Sequence, residues 1–240
     1  MSEKVTPYNT QNSKKEQVED MFDNIAPKYD LLNHTLSMNI DVSWRNTLVK
    51  MLRNDNPKSV LDVATGTGDL AIAIQRGTGA QVLGYDLSQQ MLNVGIEKVK
   101  RLGLSDKITM VKGDAENIPF EDNKFDAVSV AFGVRNFENL DKGLSELRRV
   151  VKENGSVYIL EFSKVEGFLR PFYMFYFKNI LPQIGKLISK DNRAYTYLPD
   201  SVEAFPHGNE MKEILEKIGF RSVMYKKLTF GVATIYKATK

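Results

Sequence analysis

The sequence predicts an α/β fold in which helices cover both faces of a mostly parallel sheet. Beyond residue 58, apolar strand-like runs alternate with amphipathic helical segments, and a glycine-rich turn follows the first of these strands. Parallel strands need long crossovers, so this alternation is typical of a doubly wound sheet. A chain of 240 residues with 42% hydrophobic residues can bury one such core. We therefore expect a single domain over residues 1–240.

The predicted elements divide the chain into four parts. Residues 1–54 form a helical preface, with helices at Lys14–Asp23 and Val42–Arg53 around a segment punctuated by Pro27, Asn33 and Asn39. Residues 55–162 form the core, residues 163–200 an aromatic insertion, and residues 201–240 a helix and a β-hairpin. The predicted strands of the core are Ser59–Val63, Gln81–Tyr85, Ile108–Lys112, Phe125–Ala131 and Ser156–Phe162. The remaining predicted helices begin at Asp69 and span Ser88–Leu102, Leu140–Val151 and Asn209–Ile218.

Composition excludes several classes of protein. The 33 basic residues against 30 acidic ones give a net charge of +3, too small an excess to indicate a nucleic-acid partner. The absence of cysteine excludes disulfides and thiolate chemistry, and with two histidines we expect no metal site. The amino terminus is too polar for a signal peptide, and no apolar run reaches the roughly 18 residues of a membrane span. The expected location is the cytoplasm.

The turn "LDVATGTGDLA", residues 61–71, leaves three interpretations open. It satisfies G-x-G-x-x-A, which suits a dinucleotide, S-adenosyl-L-methionine, or a plain strand-to-helix connection. Asp86, after the second strand, can accept both hydroxyls of a ribose, which the first two ligands share. Asp69 favours the sulfonium ligand by charge, although it also suits an ordinary helix cap. Asp114 could bind an adenine or lie in a solvated loop.

Several further motifs resemble one family along nearly the whole chain. They are "DVATGTGDLA", "GYDLSQQML", "GDAENIPFEDNKFDAV", "AFGVRNF", "LEFSK", "YTYLPDSVEAFP" and the amino-terminal "MFDNIAPKYDLLNHTLSMNIDVSWR". Together they resemble the UbiE/MenG family of menaquinone and ubiquinone C-methyltransferases. The resemblance implies the Rossmann-like class I methyltransferase fold, with seven strands and an antiparallel last strand, and S-adenosyl-L-methionine as cofactor. Asn39 stands where the family usually has glycine, a mild change because Asn tolerates a left-handed backbone.

The resemblance also implies site residues. The implied cofactor-binding residues are Tyr29, Thr65, Gly66, Thr67, Gly68, Asp86, Asp114 and Ala115. The implied reaction moves a methyl group to a ring carbon of a reduced quinone, which needs a group that stabilises phenolate. Arg135 is that candidate, either directly or by orienting a water, against the alternative of a surface ion pair. Asn136 and Tyr197 are candidates for orienting the acceptor hydroxyl.

Neither histidine belongs to a motif of the family. His34 is expected near a helix end, and His207 in the turn before a helix. The aromatic stretch "GFLRPFYMFYFKNILPQIGKLISK" contains Arg170, Lys178, Lys186 and Lys190, and it suits either a lid that meets the membrane or plain core packing.

The expected partner is a prenylated quinol. Peripheral membrane contact and a homodimer remain open alternatives. Competing functions are a ubiquinone-pathway or other small-molecule methyltransferase, a nucleotide-dependent reductase, and a non-catalytic binding module.

Overall fold

A computed structural model describes residues 5–8, 10–175, 179 and 193–240, with the backbone alone at 36, 169, 172 and 193–196. The strands are β1 (Ser59–Val63), β2 (Gln81–Asp86), β3 (Ile108–Lys112), β4 (Phe125–Ala131), β5 (Val151–Phe162), β6 (Arg221–Leu228) and β7 (Ala233–Thr239). The helices are α1 (Lys14–Ile25), α2 (Tyr29–Leu36), α3 (Ile40–Arg53), α4 (Asp69–Thr78), α5 (Gln89–Arg101), α6 (Leu140–Val150), α7 (Arg170–Phe175), α8 (Arg193–Ala204) and α9 (Asn209–Ile218).

The strands form one seven-stranded sheet in the order β3-β2-β1-β4-β5-β7-β6. Strands β1 to β5 pair in parallel, whereas β7 runs antiparallel to both of its neighbours. The expected seven-stranded sheet with an antiparallel last strand is therefore confirmed, and so is the carboxyl-terminal hairpin. Because β1, β2 and β4 are parallel, their carboxyl ends meet at one edge of the sheet, where ligands of open α/β sheets bind.

Both faces of the sheet are covered by helices. Leu61 and Val63 of β1 belong to a buried cluster with Leu144 and Leu147 of α6. Val60, the neighbouring residue of β1, lies in a second cluster with residues of α3 and α4. Successive side chains of a strand point to opposite faces, so this alternation produces the two helical layers. Fully buried apolar side chains of this kind each contribute about 1.5–3 kcal/mol to folding.

The helical preface is more continuous than the sequence indicates. Helix α1 begins with a capping box between Ser13 and Glu16. The expected break at Pro27 is a short 3-10 turn, Ala26–Lys28, because proline is tolerated where its missing N–H would have no partner. Asn39 precedes α3 with a left-handed φ of 60°. Residues of α1 pack against Met91 and Tyr197, so the preface covers the carboxyl edge of the sheet.

The expected start of β5 needs correction, and the expectation for most of the aromatic stretch falls outside the described residues. Strand β5 begins at Val151, five residues before the expected Ser156, because Val151 pairs with Phe125 across an irregularity in the ladder. The residues between Val151 and Ser156 are polar, so the sequence pattern does not indicate that the strand begins at Val151. Most of the aromatic stretch, including Phe177, Lys178, Lys186 and Lys190, lies outside the described residues.

Candidate active site

Two adjoining cavities lie at the carboxyl edge of the sheet. The first, the strand-end cavity, has a volume of about 90 Å³ and lies at the ends of β1, β2 and β4 beneath α1. The second, the preface cavity, has a volume of about 290 Å³ and is enclosed largely by residues of α1, α2 and α3. Phe22, Tyr29 and Phe132 line both cavities. Two ligands could therefore meet across this shared wall.

The glycine-rich loop contributes Gly66 to the strand-end cavity. Its neighbours point elsewhere: the Thr65 hydroxyl donates to Asp62 at 2.6 Å, and the Thr67 hydroxyl donates to Asp30 at 2.5 Å. Gly68 has a left-handed φ of 82°, and a Cβ there would lie 2.2 Å from a methyl group of Met110. The structure thus places Thr65, Thr67 and Gly68 outside the strand-end cavity, although Thr65 and Thr67 line a recess of about 40 Å³ behind it.

Asp86 ends β2 and points into the strand-end cavity. Its Oδ2 accepts the backbone N–H of Gly66 at 2.7 Å, and its Oδ1 accepts that of Ser88 at 2.9 Å. Burial raises the pKa of this carboxyl to about 6. The two backbone donors fix its orientation, and each oxygen keeps a further lone pair for a hydroxyl donor.

Asp114 and Ala115 line the same cavity and follow Gly113, whose backbone N–H donates to the carbonyl of Asp86 at 2.8 Å. The Asp114 carboxylate accepts Lys15 Nζ at 3.0 Å and the backbone N–H of Glu116 at 2.9 Å. Lys15 belongs to α1 and was missed by the sequence analysis, because nothing in the sequence indicates that the preface reaches this loop. Leu87 and Met91, also missed, provide an apolar wall that suits a flat ring.

Arg135 lies in a short 3-10 turn after β4 and lines the preface cavity. Its Nη1 donates to Glu161 Oε1 at 2.7 Å and to the carbonyl of Phe132 at 2.5 Å. The exposed fractions of the side chains are 8% for Arg135 and 0% for Glu161, so the alternative of a surface ion pair is wrong. Arg135 Nε is buried and has no partner within the part of the chain that the structure describes. Glu161 was missed, although an acid within the apolar run "YILEF" is a signal for a buried partner.

Asn136 and Tyr197 connect the two cavities. The Tyr197 hydroxyl donates to Asn136 Oδ1 at 3.0 Å. Asn136 lines the strand-end cavity and Tyr197 the preface cavity. Burial raises the pKa of Tyr197 to about 12, so its phenol stays protonated at neutral pH. Burial likewise raises the pKa of Tyr29, whose hydroxyl is hydrogen-bonded to Asn33.

Comparison with known proteins supplies the family. The model of the ubiE/COQ5 methyltransferase family matches residues 10–240. The chain belongs to this family. The methyltransferase is 51% identical to the demethylmenaquinone methyltransferase of Bacteroides fragilis over 99% of this chain and 98% of the relative. It is 45% identical to the ubiquinone/menaquinone biosynthesis C-methyltransferase UbiE of Geobacter sulfurreducens, over 99% and 93% of the two chains.

Solved structures agree with the fold of the methyltransferase. A SAM-dependent methyltransferase from Aquifex aeolicus is 26% identical and superposes with a TM-score of 0.56 over 76% of this chain and 81% of that chain. A putative S-adenosyl-L-methionine-dependent methyltransferase from Methanococcus maripaludis, at 21% identity, superposes with a TM-score of 0.61 over 100% and 97%. The latter likeness concerns the fold alone.

An ionic cluster in the methyltransferase changes the interpretation of Asp69. Its carboxylate contacts Lys98 Nζ at 2.8 Å, Arg45 Nη2 at 3.3 Å and His34 Nε2 at 3.5 Å. Asp69 lines the recess beside Thr65 and Thr67 rather than the strand-end cavity, and its ion pairs with Lys98 and Arg45 offset its charge. The argument from Asp69 to a sulfonium ligand is therefore not supported by the geometry. His207 lies in the turn before α9, as expected, 3.7 Å from Glu166.

Proposed function

We propose that this chain methylates a ring carbon of demethylmenaquinol to give menaquinol, with S-adenosyl-L-methionine as methyl donor. The observation that carries the proposal is the pair of adjoining cavities. Acidic groups line the strand-end cavity, and aromatic residues and Arg135 line the preface cavity. A polar nucleoside suits the first, and a flat apolar ring suits the second. The names of the full-length relatives support the choice of acceptor.

The residues of the strand-end cavity fit the cofactor. Asp86 is an oriented acceptor for ribose hydroxyls, and Asp114 with Ala115 flanks the place for the adenine. Gly66 allows the backbone to approach closely, and Tyr29 closes the cavity from the preface side. Thr65, Thr67 and Gly68 act by shaping the loop. When bound, S-adenosyl-L-methionine supplies an electrophilic methyl group on a sulfonium.

Arg135 has the position and the charge to stabilise a phenolate in the preface cavity. Arginine stays protonated, so it acts through its positive charge rather than as a base. The cavity is apolar apart from a few groups, so the attraction between the guanidinium and a phenolate is stronger there than it would be in water. Glu161 fixes the guanidinium, while Asn136 and Tyr197 orient the acceptor hydroxyl at the boundary of the two cavities. Alignment of the two reactants can supply about 7–11 kcal/mol.

Transfer of labelled methyl tests the acceptor. Short-chain demethylmenaquinol and its benzoquinol counterpart are each offered in the reduced and the oxidised form. Label in the reduced naphthoquinol alone supports the proposal. Label in the benzoquinol alone favours the ubiquinone-pathway alternative. The name of the Geobacter sulfurreducens relative includes both quinones. Family membership leaves the reductase and the non-catalytic module without support.

Replacing Arg135 by lysine tests its role. Lysine keeps a charge but loses the planar fork that Glu161 holds, so turnover should fall while the affinity for S-adenosyl-L-methionine stays nearly unchanged. Turnover numbers and calorimetric affinities of the two proteins provide the comparison. An unchanged turnover number would remove Arg135 from the mechanism.

A lipid-soluble acceptor makes peripheral membrane contact part of the proposal, with residues 163–200 as a lid in a single methyltransferase domain. Among the described helices, none is long and apolar enough to cross a bilayer. Phe168 and Phe175 flank the basic Arg170, and their exposed fractions are 82% and 61%. Phe168→Ser/Phe175→Ser should reduce co-sedimentation with anionic vesicles. Binding equal to that of the unaltered protein would count against the lid.

A further inference from the structure

The reaction under "Proposed function", on which this inference rests, must release one proton. A C–CH₃ bond forms as the S–CH₃ bond breaks, and the positive charge of the sulfonium disappears. A neutral quinol becomes a neutral methylated quinol, so charge balance requires one proton to leave per turnover. The preface cavity is largely apolar, and a proton cannot remain there. A protein group must therefore carry it to water.

Asp41 and His34 lie side by side between the preface cavity and solvent. Asp41 and Ser37 line the preface cavity, and the Ser37 hydroxyl donates to Asp41 Oδ1 at 2.5 Å. His34 Nδ1 lies 3.1 Å from Asp41 Oδ2. On the other side, His34 and Asp69 line an open surface cleft of about 560 Å³. The imidazole is thus in hydrogen-bond contact with a cavity-lining carboxylate and also faces water.

The charges around His34 favour the arrival of a proton. Asp41 and Arg45 face it from α3 and Asp69 faces it from α4. Lys98 of α5 contacts both Asp69 and Asp30. On the side of the open cleft, Lys50 and Arg53 of α3 and Arg76 of α4 line the same surface as His34. The two carboxylates in contact with the ring stabilise an imidazolium, and the cations of the cleft favour release of its proton to water.

Asp41 is suited to pass a proton on rather than to keep it. Burial opposes its ionisation, but the hydrogen bond from Ser37 and the charge of Arg45 outweigh burial and lower the pKa of the Asp41 carboxyl. Arg45 Nη2 also donates to Asp41 Oδ2. The carboxylate is therefore held in one orientation between the cavity and the imidazole.

We infer that Asp41 and His34 form the proton exit of the active site. As the acceptor hydroxyl loses its proton, that O–H bond breaks and the proton goes to the Asp41 carboxylate. It passes to Nδ1 of a His34 imidazole that carries its own proton on Nε2, and the imidazolium releases the Nε2 proton to water in the cleft. Proton exchange with water then returns the ring to the Nε2–H tautomer before the next turnover. The ring proton displaced by the methyl group returns to the oxygen, so one proton leaves in total. His34 is the terminal acceptor, and Arg45, Asp69 and Lys98 position it.

The first test compares His34→Gln with His207→Gln. Glutamine keeps a polar side chain but cannot relay a proton, whereas His207 lies outside both cavities. We expect the kcat of His34→Gln to fall about 10²-fold with both KM values within threefold. His207→Gln should match the unaltered protein. A kcat of His34→Gln within twofold of that of the unaltered protein would overturn the inference.

Chemical rescue separates a proton exit from a purely structural role. His34→Ala opens space beside the 560 Å³ cleft, and added imidazole should restore turnover in proportion to the concentration of its neutral form. Imidazolium cations that are methylated on both nitrogens cannot accept a proton. They are the control and should not restore turnover. Equal effects of both, or none from imidazole, would overturn the inference. If the unaltered protein transfers no label to any quinol, the proposed function itself fails, which is a different result.

An NMR spectrum without substrate provides an independent readout. The chain has two histidines, so His207→Gln leaves the imidazole signals of His34 alone in that spectrum. Asp41→Asn removes the neighbouring carboxylate, so the nitrogen chemical shift of His34 Nδ1 should change with the loss of the contact at 3.1 Å. A Nδ1 signal that Asp41→Asn leaves unchanged would show that the two groups are not coupled and would overturn the inference.

Discussion

Removal of the Arg135 charge should destabilise the protein strongly. In Arg135→Met the Glu161 carboxylate, with an exposed fraction of 0%, keeps only weaker donors such as the backbone N–H of Phe162 at 2.9 Å. Loss of one partner from a buried pair costs about 3–5 kcal/mol, whereas loss of an exposed pair costs at most about 1 kcal/mol. Because backbone hydrogen bonds to Glu161 remain, we expect the loss in the free energy of unfolding to lie near the lower limit of this range, about 3 kcal/mol.

A double-mutant cycle in urea measures this loss. The four proteins are the unaltered chain, Arg135→Met, Glu161→Gln and the double variant, and the free energy of unfolding is compared among them. The double variant should lose less than Arg135→Met alone, because the uncompensated carboxylate is gone. Lys152→Met provides the matched control: its ion pair with Asp126 is as short, at 2.6 Å, but the lysine is 48% exposed.

The result that refutes the reasoning is equally specific. If Arg135→Met costs no more than Lys152→Met, or if the two losses simply add in the double variant, Glu161 is not an uncompensated buried charge. The destabilisation also bears on the activity assay, because a lower turnover of Arg135→Met would then combine weaker folding with lost phenolate stabilisation. Arg135→Lys retains the charge and separates the two.

Three further predictions concern stability. Hydrogen bonds from two side chains and two backbone N–H groups outweigh burial and lower the pKa of Asp126 to about 2, so its contribution is complete above about pH 4 and lost as the pH falls through 2. Because solvent screens this partly exposed group, Asp126→Asn should cost on the order of 1 kcal/mol at pH 7, and acid titrations of unfolding would contradict this if both proteins lost stability in parallel. Burial raises the pKa of Asp62 to about 6, so its contribution is present at low pH and lost as the pH rises through 6; Asp62→Asn should flatten the decline between about pH 4 and 6, and an unchanged slope would count against it. A Cβ at Gly113 would lie 1.9 Å from the Tyr85 hydroxyl, so Gly113→Ala should lower the free energy of unfolding by about 1–3 kcal/mol. Gly103→Ala, where the described residues leave open space, should lose only the smaller cost of its left-handed φ of 67°; a smaller loss in Gly113→Ala than in Gly103→Ala would disprove the clash.

The fold could be predicted from the sequence because its signals are local. Alternating strands and helices specify the parallel sheet, and the pair of β-rich runs at 221–239 specifies the hairpin. The start of β5 could not be predicted, because pairing with β4 rather than local pattern extends that strand to Val151. Helix α2 itself was not predicted, because Asn33 suggests a break in the sequence pattern although asparagine is tolerated within a helix.

The place of a site residue could be predicted from the sequence where the backbone alone determines where its side chain lies. Asp86 and Gly66 follow strand ends, so their placement at the sheet edge depends only on topology. The threonines of the loop could not be placed, because their hydroxyls turn toward Asp62 and Asp30, and the latter is 37 residues away in the chain. Glu161 and His34 were missed for the same reason: each gains its role from a partner that only the folded chain brings near.

The order of the strands also constrains how the sheet can be assembled. Strand β6 precedes β7 in the chain, yet it lies outside β7 and pairs with no other described strand. It can join the sheet only once β7 is in place or as part of a preformed hairpin with it. During synthesis, β5 therefore presents an unpaired edge until residues 233–239 have been made. The same topology makes β6 one of the two edge strands, with β3 at the other edge, so the amides of β6 should exchange with solvent before those of β5 and β7.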